Sequence, residues 1–136
     1  MTLILAGGAA AIGALLGLYS LLWPQQAARV VRLCPDPAIK GGFAEFRATY
    51  GGLLLFAHLA VLLAIFMREQ AGMASVIGAS FAVGAAWLGA ALGRTLAMVV
   101  DHGQHETRTG YNAFSTVFEL ALALALLAPW IGHLPL

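Results

Sequence analysis

Polar residues are so sparse along this chain that they divide it into four long apolar runs. These are Leu3 to Trp23, Ala48 to Met67, Met73 to Val100 and Ala113 to Ile131. Each is close to or above the about 20 residues a helix needs to cross a bilayer core. Each also ends at groups that do not sit in lipid: Pro24-Gln25-Gln26, Arg68-Glu69-Gln70, the stretch Asp101 to Glu106, and Pro129 with Trp130. Lipid cannot satisfy backbone N–H and C=O groups, so runs of this kind fold as helices. The pattern predicts an all-α integral membrane protein, a four-transmembrane-helix bundle, in a single membrane domain over residues 1–136. The second and third spans are separated by only Arg68 to Gly72, so they are antiparallel neighbours. The connector over residues 24–47 is longer. In Ala27-Ala28-Arg29-Val30-Val31-Arg32-Leu33, apolar pairs alternate with Arg at helical spacing, which predicts a short helix lying in the interface. Cys34-Pro35-Asp36-Pro37 then breaks it.

Composition agrees with this reading. The chain is 61% hydrophobic and 10% charged, where a soluble domain carries about a quarter charged residues. Seven Lys and Arg against six Asp and Glu give no electrostatic support for a nucleic-acid partner. The single cysteine, Cys34, excludes an internal disulfide and a thiolate zinc site. It reads as a small apolar residue in a turn. No Lys or Arg precedes Arg29, whereas a cleaved signal peptide starts with positive charge and has a short core. The first run is therefore expected to stay as the first membrane helix.

Orientation follows from Lys and Arg in the short loops. The first connector carries Arg29, Arg32, Lys40 and Arg47, and the third, on the same side, carries Arg108. The opposite side has Arg68 alone. The expectation is that the first and third connectors are cytoplasmic and both termini lie outside. Tyr19, Trp23, Tyr50 and Tyr111 fall near the first boundary and Trp130 near the other, as interfacial belts do.

Lipid tails are as apolar as leucine, so helix association in a membrane relies on close packing through small residues. Candidate packing stripes are Ala9, Gly13 and Gly17 in the first span, Ala85, Gly89 and Gly93 in the third, and Ala121 and Ala125 in the fourth. Such stripes serve contacts within the bundle, with a membrane-protein partner, or with a second copy in a homo-oligomer. Ionisable residues within the spans are costly and so more informative. Arg94 lies six residues before the end of the third run, and Glu119 six residues past the start of the fourth. In antiparallel helices both are then about 9 Å from one boundary, and an Arg94–Glu119 pair is the simplest satisfied arrangement. Glu45, Arg47, Tyr50 and Asp101 gather at the same end, giving a candidate ligand-binding or structural cluster of Glu45, Arg47, Tyr50, Arg94, Asp101 and Glu119. Arg47, Gly51 and His58 share one helical stripe. His58 then lies roughly 16 Å below Arg47, near mid-membrane, where it needs an internal partner or an aqueous cavity. A buried ion pair that only fixes helix register, and a histidine satisfied by packing, are the plain alternatives to function here. The run Asp101-His102-Gly103-Gln104-His105-Glu106 lacks the recurrent spacing of metal motifs. No metal is expected, and with no haem motif, nucleotide loop or nucleophile–base set, no cofactor either.

Glu45-Phe46-Arg47-Ala48-Thr49-Tyr50-Gly51-Gly52 resembles the E-x-R-A-x-Y-G-G signature of a bacterial family of small four-helix membrane proteins, domain-of-unknown-function family 4345. Gly93-Arg94, Asp101 with Gly103, and Glu119 match its other recurring features, and His102 intervenes where the family runs from Asp directly to Gly. The family is similar to the DoxX-like membrane proteins. The resemblance covers nearly the whole chain, implies the four-helix fold and a bacterial inner membrane, and implies no reaction. Three functions remain: an accessory or scaffold component of a membrane assembly, which comes first; a binder of a lipid, quinone or other amphiphile through the polar cluster; and a small enzyme or transporter using the same groups, with His58 as proton carrier.

Overall fold

The computed structural model describes residues 1–36 and 38–134; Pro37, one of the helix breakers named above, lies outside them. The helices are α1 (Thr2–Leu22), α2 (Pro24–Val31), α3 (Gly42–Phe66), α4 (Arg68–Ala71), α5 (Met73–Val100), α6 (His102–His105) and α7 (Gly110–Ile131). Four of them, α1, α3, α5 and α7, are long and apolar enough to cross a membrane. The protein is an all-helical integral membrane protein built as a four-helix bundle.

Two spans begin earlier than hydropathy places them. Helix α3 starts at Gly42 rather than Ala48, after Gly41 turns the chain at φ 92°, a conformation glycine adopts without steric cost. Glu45 and Arg47 therefore lie on the helix instead of before it. Helix α7 starts at Gly110 rather than Ala113 because Thr109 caps it, its Oγ1 accepting the Asn112 N–H at 3.1 Å. In both cases the first turns are polar enough to lie in the interface, where a hydropathy run has already ended.

The predicted interfacial helix is α2. Pro24 occupies its first turn, and Arg32 ends it in the left-handed region at φ 58°. Its small face, Ala27 and Ala28, is buried against Phe46, with Val31 and Tyr50 alongside. Helix α2 thus folds back onto the start of α3.

The α1–α3 and α5–α7 contacts are the two most extensive and about equal, and the smaller α1–α7 and α3–α5 contacts close the ring. At its centre Ala9, Ala10, Val61, Leu122 and Leu126 pack with Leu62, Ile65, Val83, Trp87 and Phe118. Helices α1 and α3 nearly touch through glycine: a Cβ on Gly17 would fall 2.4 Å from the Leu55 backbone nitrogen. The Ala9, Gly13, Gly17 stripe is accordingly buried. The Ala85, Gly89, Gly93 stripe is not. Helix α5 turns Val76, Ser80, Gly84 and Ala91 inward and leaves those three exposed. On α7, Ala121 is exposed and Ala125 half-buried.

Within α3, Arg47–Leu53 forms a π-helical segment. Its i→i+5 bonding accommodates an extra residue in the turn and breaks the 3.6-residue register. The expected Arg47, Gly51, His58 stripe does not survive this: Gly51 and His58 are buried, while Arg47 is exposed.

Candidate functional site

Helices α5 and α7 are tied by one polar network. The Arg94 guanidinium donates to the Glu119 carboxylate through Nε, at 3.1 Å to each oxygen, and through Nη2 at 2.6 Å to Oε1. Its Nη1 donates to Asn112 Oδ1 at 3.2 Å. Asn112 Nδ2 donates to the Thr107 carbonyl at 2.7 Å, and Thr107 Oγ1 to the Ala97 carbonyl at 2.8 Å. The network thus returns to α5 about one turn nearer its C-terminal end than Arg94. Because α7 starts early, Glu119 lies nine residues from Gly110, about 13 Å in depth, and Arg94 about 9 Å. The long Arg side chain bridges that difference. The Glu119 side chain is 8% exposed and that of Arg94 32%, so the carboxylate is the enclosed partner. Two ions at such depth hold together when geometry and further hydrogen bonds offset their desolvation, and Asn112 supplies one such bond.

His58 is buried at the α1–α3–α5 junction. Trp87 Nε1 donates to its Nε2 at 2.8 Å, and its Nδ1 lies 2.6 Å from the Leu54 carbonyl. An indole N–H only donates and a carbonyl only accepts, so this network assigns the proton to Nδ1 and leaves Nε2 as acceptor. The ring has room because α1 presents Gly13 there, where a Cβ would lie 2.1 Å from Nε2. The internal partner that mid-membrane depth demands is therefore Trp87, together with the backbone of His58's own helix. Among the described residues, no buried side-chain nitrogen or oxygen lacks a hydrogen-bond partner.

The remaining cluster residues divide. The half-buried Tyr50 stacks on Phe46 with ring centroids 4.8 Å apart. Glu45, Arg47 and Asp101 are exposed, and among the described residues none makes a side-chain hydrogen bond or ion pair. Arg47 instead lines a shallow cleft of about 330 Å³ between the α1–α2 corner and the start of α3. Sequence reasoning missed Asn112, Thr107 and Trp87 as partners and placed Tyr111 only as a boundary aromatic. The Tyr111 hydroxyl donates to the Val30 carbonyl, and the Arg32 guanidinium sits 3.9 Å from the centre of the Tyr111 ring. This cation–π contact fastens α2 to α7. Tyr111 and Asn112 follow Thr109 at the cap, and that capping threonine was the available signal. Among the described residues, no three His, Cys, Asp or Glu side chains converge as a metal site would require.

No family model matches the chain, and neither a curated protein nor a solved structure matches it at significance.

Proposed function

We propose that this protein is an accessory or scaffold component of a membrane assembly, presenting α5 to another transmembrane helix. The observation that carries this reading is the outward face of α5, where Gly78, Ala82, Ala85, Ala86, Gly89 and Gly93 are all exposed. A Cβ added at Gly78, Gly89 or Gly93 would meet nothing within 4 Å. A face this shallow lets a second backbone approach closely, which is how helices associate where burial supplies little drive. The interior supports the same conclusion from the other side. Arg94 and Glu119 satisfy each other, and both nitrogens of His58 are engaged, which favours tying the helices together over moving protons or holding a substrate.

The charge asymmetry of the connectors supports both termini lying outside the cytoplasm, and the family resemblance supports a bacterial inner membrane. The Glu45 to Gly52 motif, together with Arg94 and Glu119 on facing helices, supports kinship with domain-of-unknown-function family 4345 and its DoxX-like relatives.

The test is native mass spectrometry and sizing of the protein extracted in mild detergent with its own lipids. Wild type is expected as a stoichiometric complex with a membrane protein or a second copy. Ala85→Leu with Gly89→Leu should release it as a folded monomer, since neither leucine points into the bundle. A wild type that is already a lone monomer, or a complex untouched by the double substitution, would overturn the reading.

A further inference from the structure

The cleft at Arg47 lies where three elements meet: the end of α1, the first turn of α2 and the start of α3. Leu22, Trp23, Gln25, Gln26, Phe43 and Arg47 line it. Its lining is of two kinds. Leu22 and Trp23 are each 51% exposed and Phe43 38%, so the cleft offers open apolar surface at the level where a span leaves the hydrocarbon. It also offers the Arg47 guanidinium and two side-chain amides, and among the described residues none of these three groups is committed to a hydrogen bond or ion pair. The helix register contributes as well. Arg47 opens the π-helical segment of α3, and the widened turn separates it from Gly51 and His58, which face α1. With regular α-helical geometry the three would share a stripe. Local departures of this kind are frequent at functional sites.

We infer that this cleft is a binding site for the phosphodiester headgroup of an anionic phospholipid, held by Arg47 with Gln25 and Gln26, with the glycerol and upper acyl chain lying on Leu22, Trp23 and Phe43. A guanidinium offers a planar fork of donors that matches two phosphate oxygens. The amides of Gln25 and Gln26 add uncharged donors to the same lining. Trp23 is of the residue type that prefers the headgroup level. Free phosphate has the same anionic chemistry but makes no use of the apolar surface, and for that reason the site takes the lipid. This inference concerns the opposite end of α3 from the α3–α4 corner and does not depend on the scaffold reading, because it uses no residue of α5.

The experiment uses the full chain in detergent, supplied with equal phosphatidylglycerol and phosphatidylcholine, with retained lipid read by native mass spectrometry. Wild type should retain phosphatidylglycerol about fivefold or more over phosphatidylcholine, the preference of about one net cationic contact. Arg47→Gln should lower phosphatidylglycerol retention by about tenfold or more, as expected for loss of a charge-assisted bond, whereas Arg68→Gln at the far corner should leave it unchanged. Gln25→Glu with Gln26→Glu changes only exposed positions. It should abolish the preference even if Arg47→Gln impairs folding. Equal retention of the two lipids by wild type would overturn the inference, as would an unchanged preference in the Gln25→Glu, Gln26→Glu protein. Inorganic phosphate raising the melting temperature as much as phosphatidylglycerol would also overturn it, showing a simple anion site.

Discussion

Gly13 and Gly8 lie on the same helix, yet a methyl group added at each would meet different surroundings. At Gly13 it would fall 2.1 Å from the His58 ring, and at Gly8 it would meet nothing within 4 Å. Gly8→Ala should therefore raise stability by up to about 1 kcal/mol through helix propensity alone. Gly13→Ala should lower it by several times that, because displacing the imidazole also breaks its bond to Trp87. Melting temperatures of the two variants in the same detergent check this, and equal behaviour would show that the His58 seat is not tight. Trp87→Phe isolates the hydrogen bond: it keeps an aromatic ring but strands Nε2, at an expected cost of about 1–3 kcal/mol. The sequence marks His58 plainly, as a lone ionisable group deep in an apolar run. It does not mark Trp87. The bond joins residues 29 positions apart on two helices, and its geometry depends on a glycine of a third, so no local pattern contains it.

Between elements, the Arg94–Glu119 contact offers a cleaner separation of structural from functional roles. Removing either partner leaves the other ion poorly solvated at depth, which costs about 3–5 kcal/mol for fully buried pairs. Arg94 is 32% exposed on its side chain, so the lower part of that range is expected for Glu119→Leu or Arg94→Leu. Arg94→Leu combined with Glu119→Leu should recover much of the loss, because no unpaired charge then remains. Denaturation midpoints of the four proteins in a double-mutant cycle provide the measurement. If both single variants keep full stability, the pair does not hold α5 to α7. This contact was legible from sequence because antiparallel helices convert matching distances from a shared boundary into matching depth. The start of α7 was less legible: Thr109 caps four residues before the apolar run begins at Ala113, and Glu119 is deeper than the run implied. The π-helical segment Arg47–Leu53 was not legible at all. Gly51 and Gly52 permit it sterically, but they occur equally in ordinary helix contacts. The widening became visible only where the register placed Gly51 against Leu21 and Arg47 outside. For the same reason the two small-residue stripes of α1 and α5 looked alike in sequence and proved opposite in exposure. Which stripe is buried depends on the rotation of each helix about its own axis, and in a chain whose outer surface is also apolar, hydropathy carries almost no information on that rotation.

At the scale of the whole molecule, the arrangement of cations implies a direction across the membrane, and the chain contains its own probe of it. Arg29, Arg32, Lys40 and Arg47 precede or open α3, and Arg108 lies between α5 and α7, all at one end of the bundle. The other end has Arg68, whose guanidinium lies 3.5 Å from the Glu69 carboxylate. Loop Lys and Arg, rather than net charge, set orientation during insertion, so the five-residue end is expected in the cytoplasm. Cys34, the single cysteine, is exposed in the first connector. With the protein expressed in a Gram-negative host, it should resist a membrane-impermeant maleimide in intact cells and react once the inner membrane is opened. His133, exposed beyond the end of α7, supplies the converse. In a Cys34→Ser background, His133→Cys should be labelled in cells whose outer membrane alone has been permeabilised. Labelling of Cys34 without opening the inner membrane, with His133→Cys protected, would invert the topology. It would also move the Arg47 cleft to the opposite leaflet, where the lipid composition and the membrane potential acting on its charge both differ.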